Sequence, residues 1–403
     1  MSIETKRSWT VAFATLALLS VNFGFPLVLV VALKPIAADL DAPRSVPALA
    51  AALASFGGGL GGIVMGRVAE RVDMRLMVAF GAVMVAAGLA VSTLGSEWAL
   101  YVGYGLLAGF LGNGTMAAPL LVYVSHWFDR RRGTALALIS SGQYVAGTIW
   151  PSLFERGIEH WGWQATTLAF AALEVAVVLP IALIYLRTPP KAPPMGAPGG
   201  GPMPGAMVLG LNPNLVLGLM TAAIFLCCVP MAQPSVHLVS FCTDLGFSAA
   251  TGAGMLSVLL ACAFISRQFW GWMGDKIGGL RSVLIGSVCQ TITLALFLTT
   301  QDEMGLFAIS AAFGLGFAGI VPNYVLAARE IFPASEATRR IPIMMFGGLL
   351  GMAVGGWMGG AVYDAFGSYG HSFALGVGAN LLNLLVVGFL VSRGRARMQP
   401  AYA

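Results

Sequence analysis

Residues 9–33 read WTVAFATLALLSVNFGFPLVLVVAL, an apolar run that contains no charged side chain. An α-helix of about 20 such residues crosses the ~30 Å hydrocarbon core of a bilayer, whereas a secretory signal has an apolar region of roughly 7–15 residues. The run therefore predicts a first membrane-spanning helix. The composition agrees, because 58% of the 403 residues are hydrophobic and only 10% are charged, against roughly 25% charged in soluble domains.

Further apolar runs of spanning length follow along the chain. The predicted spans lie near 9–33, 47–69, 76–95, 98–124, 133–153, 164–186, 212–241, 249–273, 281–299, 304–328, 340–363 and 371–392. Between the sixth and the seventh, the proline- and glycine-rich segment 187–211 predicts a flexible or extended cytoplasmic linker. We therefore expect an all-α membrane protein of twelve transmembrane helices in two six-helix bundles, residues 1–186 and 212–403.

The basic residues are distributed unevenly among the predicted loops. With the N-terminus in the cytoplasm, most arginines and lysines fall on the inner side, and the outer side holds only Lys34, Arg44 and Arg156. The positive-inside rule then predicts that both termini are cytoplasmic. Because the basic residues are scattered over short loops, the formal charge of +5 does not indicate a nucleic-acid-binding patch.

A glycine-acid-base pattern recurs after the second and the eighth predicted spans. Glycine lets two helix ends approach closely, and the acid and base could bridge neighbouring helix ends. Breaking and remaking such a cluster would change which side of the membrane the helix bundles open to. An anchor that only obeys the positive-inside rule is the structural alternative. The predicted gating residues are Gly66, Glu70, Arg71, Gly271, Asp275 and Lys276.

Prolines recur at matching places in the two halves. Pro26 and Pro230 mark the first and seventh spans, and Pro119 and Pro322 mark the fourth and tenth. Repeated halves whose helices are interrupted at matching places are typical of transporters with a binding site between the halves. A phosphate-binding G-x-x-x-x-G-K-[ST] loop does not occur in the sequence, which argues against ATP as the energy source.

The whole chain resembles the major facilitator superfamily, with six plus six spans, a central linker and the loop pattern in both halves. Four stretches are similar to the monocarboxylate transporter family and its bacterial relatives: VALKPI at 31–36, WFDRRRGTA at 127–135, HLVSFCTDLG at 237–246 and SRQFWG at 266–271. The resemblance implies a carrier of small monocarboxylate anions in the cell membrane, in a bacterium the inner membrane. Such a carrier is expected to work by alternating access, with a proton and the lipid bilayer as its other partners. No cofactor, metal or obligate protein partner is expected.

Arg267 is the basic residue that lies well inside an apolar run. An arginine there costs several kcal/mol unless it is solvated or paired, and its planar fork fits a carboxylate with two parallel hydrogen bonds. The resemblance implies the same role, an anchor for the substrate carboxylate; an arginine that snorkels to the headgroups is the alternative. The sequence departs from animal members of the family one turn earlier, where Ala263 replaces an acidic residue, so proton coupling through such a pair is not expected.

Two further ionisable residues lie at the ends of spans one and seven. The resemblance implies that Lys34 is the first contact for an entering anion, and an interfacial lysine is the alternative. His237 has nearly the equivalent place in span seven, and histidine can carry a proton because it titrates near pH 6.5. We therefore treat His237 as the proton-coupling candidate, with a structural histidine as the alternative.

Polar side chains on spans four, five and ten complete the predicted substrate site. Each could bind a hydroxy or keto group of the solute, or equally could bridge two helices. These candidates are Asn113, Gln143, Tyr144, Asn323 and Tyr324. A membrane enzyme is not expected, since the four histidines are spread along the chain; a carrier of another organic anion or a drug, or an anion exchanger, remains the alternative.

Overall fold

The computed structural model describes residues 4–69, 71–128, 131–186, 208–332 and 334–398. The regular structure of these residues is helical, apart from one bridge between Val208 and Leu211. In chain order the α-helices are α1 (Lys6–Asn22), α2 (Phe25–Val31), α3 (Leu33–Asp39), α4 (Ser45–Ala69), α5 (Met74–Ser92), α6 (Glu97–Tyr101), α7 (Gly114–Ser125), α8 (Arg132–Ser140), α9 (Gly142–Tyr185), α10 (Pro213–Asp244), α11 (Ala249–Ile277), α12 (Gly279–Thr299), α13 (Glu303–Phe317), α14 (Ile320–Ile331), α15 (Ala334–Phe366) and α16 (Tyr369–Met398). A π-helix, Val102–Asn113, joins α6 to α7.

The helices confirm the predicted membrane architecture. Within the described residues, 11 helical stretches are long and apolar enough to cross a bilayer, and one of them, Thr134–Tyr185, has 52 residues. Gly162, whose φ of 80° and ψ of 166° are not helical, divides that stretch into two parts, the first of which includes most of α8 and the start of α9. Each part is longer than the ~20 residues that a span needs, so the stretch supplies the fifth and sixth of twelve spans.

Two of the four predicted interruptions are present. The first span breaks at Phe23 and Gly24, between α1 and α2, and the tenth breaks at Ala318 and Gly319, between α13 and α14. The prediction is wrong for the fourth span, which changes from a π-helix to the α-helix α7 without a break and contains Pro119 inside α7. It is also wrong for the seventh span, because α10 runs unbroken through Pro230. A proline inside a helix removes one hydrogen bond and bends the axis, which is compatible with a continuous helix.

The chain divides into two compact units that do not follow its two halves. One unit comprises Met1–Met195 together with Val236–Leu260, and the other comprises Gly196–Ser235 together with Ala261–Ala403. The end of α10 and the start of α11 therefore pack with the first six spans. The expected domain boundaries, 1–186, 187–211 and 212–403, stay a prediction, and most of the linker lies outside the described residues.

Apolar side chains fill both the inside and the outside of these units. In the first unit, Phe170 packs edge-on against Trp150 and Phe154, with ring centroids 5.0 Å apart in both pairs. On the outside, leucines such as Leu76 and Leu385 are exposed. Exposed apolar surface along a spanning helix suits a lipid environment, in which it costs nothing to leave it uncovered.

Candidate functional site

The residues predicted to bind the substrate or the proton are distributed over both units. The first unit holds Lys34, Asn113, Gln143, Tyr144 and His237. The second unit holds the others, namely Arg267, Asn323 and Tyr324.

Arg267 lies in α11 next to two buried residues that fix the orientation of this helix. Ser266 Oγ donates a hydrogen bond to the carbonyl of Gly314 at 3.1 Å, and Trp270 Nε1 donates one to the carbonyl of Leu315 at 2.7 Å. Both bonds tie one face of α11 to α13. Arg267 directly follows Ser266, so its side chain points about 100° away from that face. Arg267 is half-buried.

The position one turn before Arg267 holds a small apolar residue. Ala263 is completely buried in α11, so this position offers only a methyl group. The arrangement supplies a guanidinium inside a spanning helix without an acid on the preceding turn. Such a group is chemically suited to an anionic ligand.

Asn113 forms a polar pair with a residue that the sequence reading missed. Asn22 Nδ2 donates to Asn113 Oδ1 at 2.8 Å, and Asn22 is fully buried. Asn22 Oδ1 has no hydrogen-bond partner among the described residues. Asn22 ends α1 at the break of the first span, and Asn113 ends the π-helix of the fourth. A π-helix is rare and is frequently found at functional sites.

An earlier signal for Asn22 was present in the sequence. It is the one amide side chain in the run 9–33, and Gly24 and Pro26 follow it closely. A polar side chain beside a helix break in the membrane has both buried polar surface and free backbone groups nearby, which is typical of binding sites in transporters.

Gln143 and Tyr144 begin α9 and have different environments. Gln143 is exposed and Tyr144 is buried. Neighbouring residues on a helix point about 100° apart, so the two side chains do not share a face. Their roles in solute binding stay predictions.

Asn323 and Tyr324 form hydrogen bonds between helices in this conformation. Asn323 Nδ2 donates to the carbonyl of Trp270 in α11 at 3.2 Å. It also donates at 2.9 Å to the carbonyl of Gly319, which caps its own helix, so this second bond is local. Tyr324 is completely buried, and its hydroxyl donates to Asn383 Oδ1 at 2.7 Å. These are the helix-bridging contacts that the sequence left open as the alternative to substrate binding.

Tyr324 belongs to a buried polar network that the sequence did not predict. Asn383 Nδ2 donates to Ser287 Oγ at 2.9 Å and to Asn380 Oδ1 at 2.9 Å, and Asn380 Nδ2 donates to Thr291 Oγ1 at 2.9 Å. These side chains connect α12, α14 and α16. Amide side chains between spans hold helices together in lipid, where water cannot compete.

Lys34 and His237 are both in the first unit but differ in burial. Lys34 Nζ lies 2.5 Å from Asp244 Oδ1, in an ion pair that also includes Arg44. His237 is completely buried in α10, seven residues before Asp244. Lys34 therefore faces a carboxylate of the protein itself, a partner that the sequence reading did not identify.

The predicted gating residues lie at the ends of α4 and α11, except Glu70, which is outside the described residues. Arg71, Asp275 and Lys276 are exposed, and Lys276 Nζ lies 4.2 Å from the centre of the Trp272 ring. Asp73, after Arg71, caps α5 by accepting a hydrogen bond from the backbone N–H of Arg75 at 2.8 Å.

The expected reason for glycine at Gly66 and Gly271 is wrong for this conformation. A Cβ at either position would meet nothing within 4 Å. Close packing instead falls on other glycines of the same helices. In α4 a Cβ on Gly61 would meet the backbone of Phe110, and in α11 one on Gly274 would meet Asn323. The gating role of the motif stays a prediction.

A carboxylate that the sequence reading missed lies beside the second copy of the motif. Glu330 Oε2 accepts a hydrogen bond from the backbone N–H of Gly279 at 2.9 Å, at the first residue of α12. A helix N-terminus carries partial positive charge, so a carboxylate there is stabilising. The contact ties the end of α14 to the turn that follows the glycine-acid-base pattern.

The chain is similar to known membrane carriers over nearly its whole length. The model of the Major Facilitator Superfamily matches residues 10–268 and 219–401. Monocarboxylate transporter 13 of Bos taurus is 27% identical over 76% of this chain and 71% of its own. The uncharacterized MFS-type transporter YcxA of Bacillus subtilis is 22% identical over 83% of each chain.

Two solved structures share the fold. The nucleoside transporter NupG, as a mutant, superposes with a TM-score of 0.77 over 94% of this chain and 99% of its own, at 13% identity. A bacterial homologue of the human lysosomal transporter Spinster, inward-facing and occupied, gives 0.72 over 97% and 98%, at 14% identity. At these identities the likeness concerns the fold.

Proposed function

Because the chain belongs to the Major Facilitator Superfamily, we propose that this transporter is a secondary carrier of small organic monocarboxylate anions such as lactate and pyruvate. Arg267 is the observation that carries the proposal. It is a half-buried guanidinium in the spanning helix α11, one turn after the buried Ala263. The similarity to monocarboxylate transporter 13 supports the same class of solute.

The chemistry of Arg267 favours a carboxylate over a neutral solute. A guanidinium presents two parallel N–H donors that match the two oxygens of a carboxylate. A neutral sugar offers no negative charge to complement a guanidinium inside a spanning helix, where a charged side chain is costly. A short monoanion would therefore gain most where Arg267 lies.

Proton symport is the mode of coupling that we propose. Moving one negative charge inward against a negative-inside potential costs about 2.3 kcal/mol per 100 mV, and a proton that travels with the anion cancels this cost. Since Ala263 carries no proton, the remaining candidates are the substrate carboxylate itself and His237. We place the carrier in the cell membrane, the inner membrane of a bacterium, with both termini in the cytoplasm.

The same position supports one alternative mode of transport. If no proton accompanies the anion, electrical neutrality requires that an anion leaves for each one that enters. An exchanger would use Arg267 in the same way, since every half-cycle moves a bound anion. The alternative solutes, a larger organic anion or a drug, would use the same cation with a different pocket.

Uptake into liposomes tests the proposal. The purified protein is reconstituted, and a panel of labelled carboxylates is offered with and without an inward proton gradient. We expect the proton gradient to drive accumulation of short monocarboxylates and Arg267→Lys to lose this uptake. The control Arg393→Lys should keep normal uptake, since Arg393 packs over Phe389 towards the end of α16. Exchange without gradient-driven accumulation would support the exchanger, and inactivity toward the whole panel would refute the proposal.

A further inference from the structure

Two cations hold the carboxylate of Asp244, the last residue of α10. Arg44 Nη1 lies 2.5 Å from Asp244 Oδ2 and Arg44 Nη2 lies 2.9 Å from Oδ1, so the guanidinium binds both oxygens. Lys34 Nζ lies 2.5 Å from Oδ1 as well. All three side chains belong to the first compact unit. Asp244 is therefore bound as a free carboxylate would be, by a two-pronged guanidinium and an ammonium.

The cluster carries more positive than negative charge. Two cations face one carboxylate, and the side chains remain 17–29% exposed to solvent. The other acids of the adjoining turn are placed differently. Asp39 Oδ2 accepts a hydrogen bond from Gln164 Nε2 at 2.7 Å, and Asp41 is an exposed residue of the turn. Without Asp244 the two cations would form a strongly electropositive site for an anion.

The three residues come from different parts of the chain. Lys34 lies in α3, at the C-terminal end of the first span, and Arg44 directly precedes α4. Asp244 ends α10, and Gly246, with a φ of 92°, turns the chain towards α11. Lys34 and Arg44 belong to one short segment, whereas Asp244 is delivered by a separate helix end. A relative movement of that helix end would remove the carboxylate and leave both cations together.

We propose that Lys34 and Arg44 form a carboxylate-binding site, which Asp244 fills in this conformation and a substrate carboxylate fills when the end of α10 moves away. This inference rests on the proposed transport of monocarboxylates. Asp244 then acts as a tethered competitor: its return displaces the bound anion and closes this end of the carrier. In the predicted orientation this is the outer end, where a solute enters from outside.

The strength of the competition follows from the tether. A short tether gives the competing group an effective concentration in the millimolar range. If a carboxylate such as that of Asp244 binds the site with a dissociation constant a few-fold below this effective concentration, Asp244 occupies the site most of the time. The apparent dissociation constant of a competing substrate is then raised several-fold. Removing the carboxylate should therefore lower the dissociation constant of a small anion by about five-fold.

Binding of labelled pyruvate to the purified protein in nanodiscs tests the inference without requiring transport. We expect Asp244→Asn and Asp244→Ala to bind pyruvate about five-fold more tightly than the wild type. Arg44→Gln added to Asp244→Asn should remove the gain, because the two-pronged donor is lost. Asp41→Asn is the matched control: it removes one negative charge from the same turn outside the cluster, and asparagine tolerates the left-handed φ of 48° at this position.

The outcomes separate this inference from the proposed function. Unchanged pyruvate affinity in both folded Asp244 variants, or an equal gain in Asp41→Asn, would overturn the carboxylate site. Tighter binding in the Asp244 variants together with no carboxylate transport by the wild type would support the site and refute the proposed function. Uptake by the wild type with no gain in the variants would leave the proposed function standing and reject the tethered competitor.

Discussion

Substitution of Gly61 by alanine tests whether the second and fourth spans pack at the distance seen here. A Cβ on Gly61 would lie 2.9 Å from both the Cα and the carbonyl carbon of Phe110, and closer still to its carbonyl oxygen. These are backbone atoms of the π-helix, which cannot rotate away as a flexible side chain can. The two spans would have to separate.

Gly66 provides a matched control in the same helix. A Cβ at Gly66 meets nothing within 4 Å, so Gly66→Ala adds no clash. Replacing a helical glycine by alanine gains roughly 0.5–1 kcal/mol, whereas overpacking costs about 1–3 kcal/mol. The expected balance is a net destabilisation of about 1–2 kcal/mol for Gly61→Ala and a small stabilisation for Gly66→Ala.

Unfolding in mixed detergent micelles, followed by tryptophan fluorescence, measures both variants against the wild type. Gly61→Ala should unfold at a lower denaturant fraction than the wild type, and Gly66→Ala at the same fraction or a higher one. Equal stability of Gly61→Ala and Gly66→Ala would refute the close approach of α4 to the π-helix.

Three further substitutions address transport. Arg267→Lys should nearly abolish carboxylate uptake while the protein still folds, because lysine cannot bind both oxygens at once; uptake at the wild-type rate would remove Arg267 from the site. Asp275→Asn should lower the maximal rate more than the apparent affinity, because this exposed residue in the last turn of α11 is predicted to set the balance of access states; a loss confined to affinity would speak against gating. His237→Gln should flatten the rise in uptake between external pH 7.5 and 5.5, since histidine ordinarily titrates near pH 6.5; an unchanged pH profile would make His237 structural.

Local patterns in the sequence predict the spanning helices but not every turn that connects them. An apolar run of spanning length determines a membrane helix whatever surrounds it, which is why residues 9–33 predict the first span correctly. The junction of the fifth and sixth spans depends on one residue, Gly162, whose non-helical φ and ψ turn the chain between two helical stretches. A single glycine among 52 gives no such signal.

The polar partners lay beyond the reach of sequence reasoning because they are distant in the chain. Lys34 was predicted to meet a substrate anion, and the structure places it against the carboxylate of Asp244. The sequence offers Tyr324 either as a contact for the solute or as a bridge between helices, and its hydroxyl contacts Asn383. Which polar groups face each other depends on how each helix is rotated about its axis. Successive side chains on a helix point about 100° apart, so a helix rotated by one residue presents a different side chain.

Asn22 shows that a single polar residue inside an apolar run predicts a polar partner on another helix. Pro26 predicts an interruption of the first span, but the asparagine itself lies within the run that the sequence classes as apolar. A buried amide costs free energy unless it is hydrogen-bonded, so its presence beside a break required a partner. The structure supplies Asn113 as that partner for one of its donors.

Isotope counterflow tests the central claim, that the protein carries small monocarboxylates, most directly because it needs neither a proton gradient nor a coupling assumption. Liposomes that contain the reconstituted protein are loaded with unlabelled lactate and diluted into a trace of labelled lactate. We expect transient accumulation of label, which Arg267→Lys abolishes and which does not occur when the internal solute is the neutral analogue lactamide. Counterflow that is equally strong with lactamide, or its absence with every short carboxylate tested, would contradict the claim.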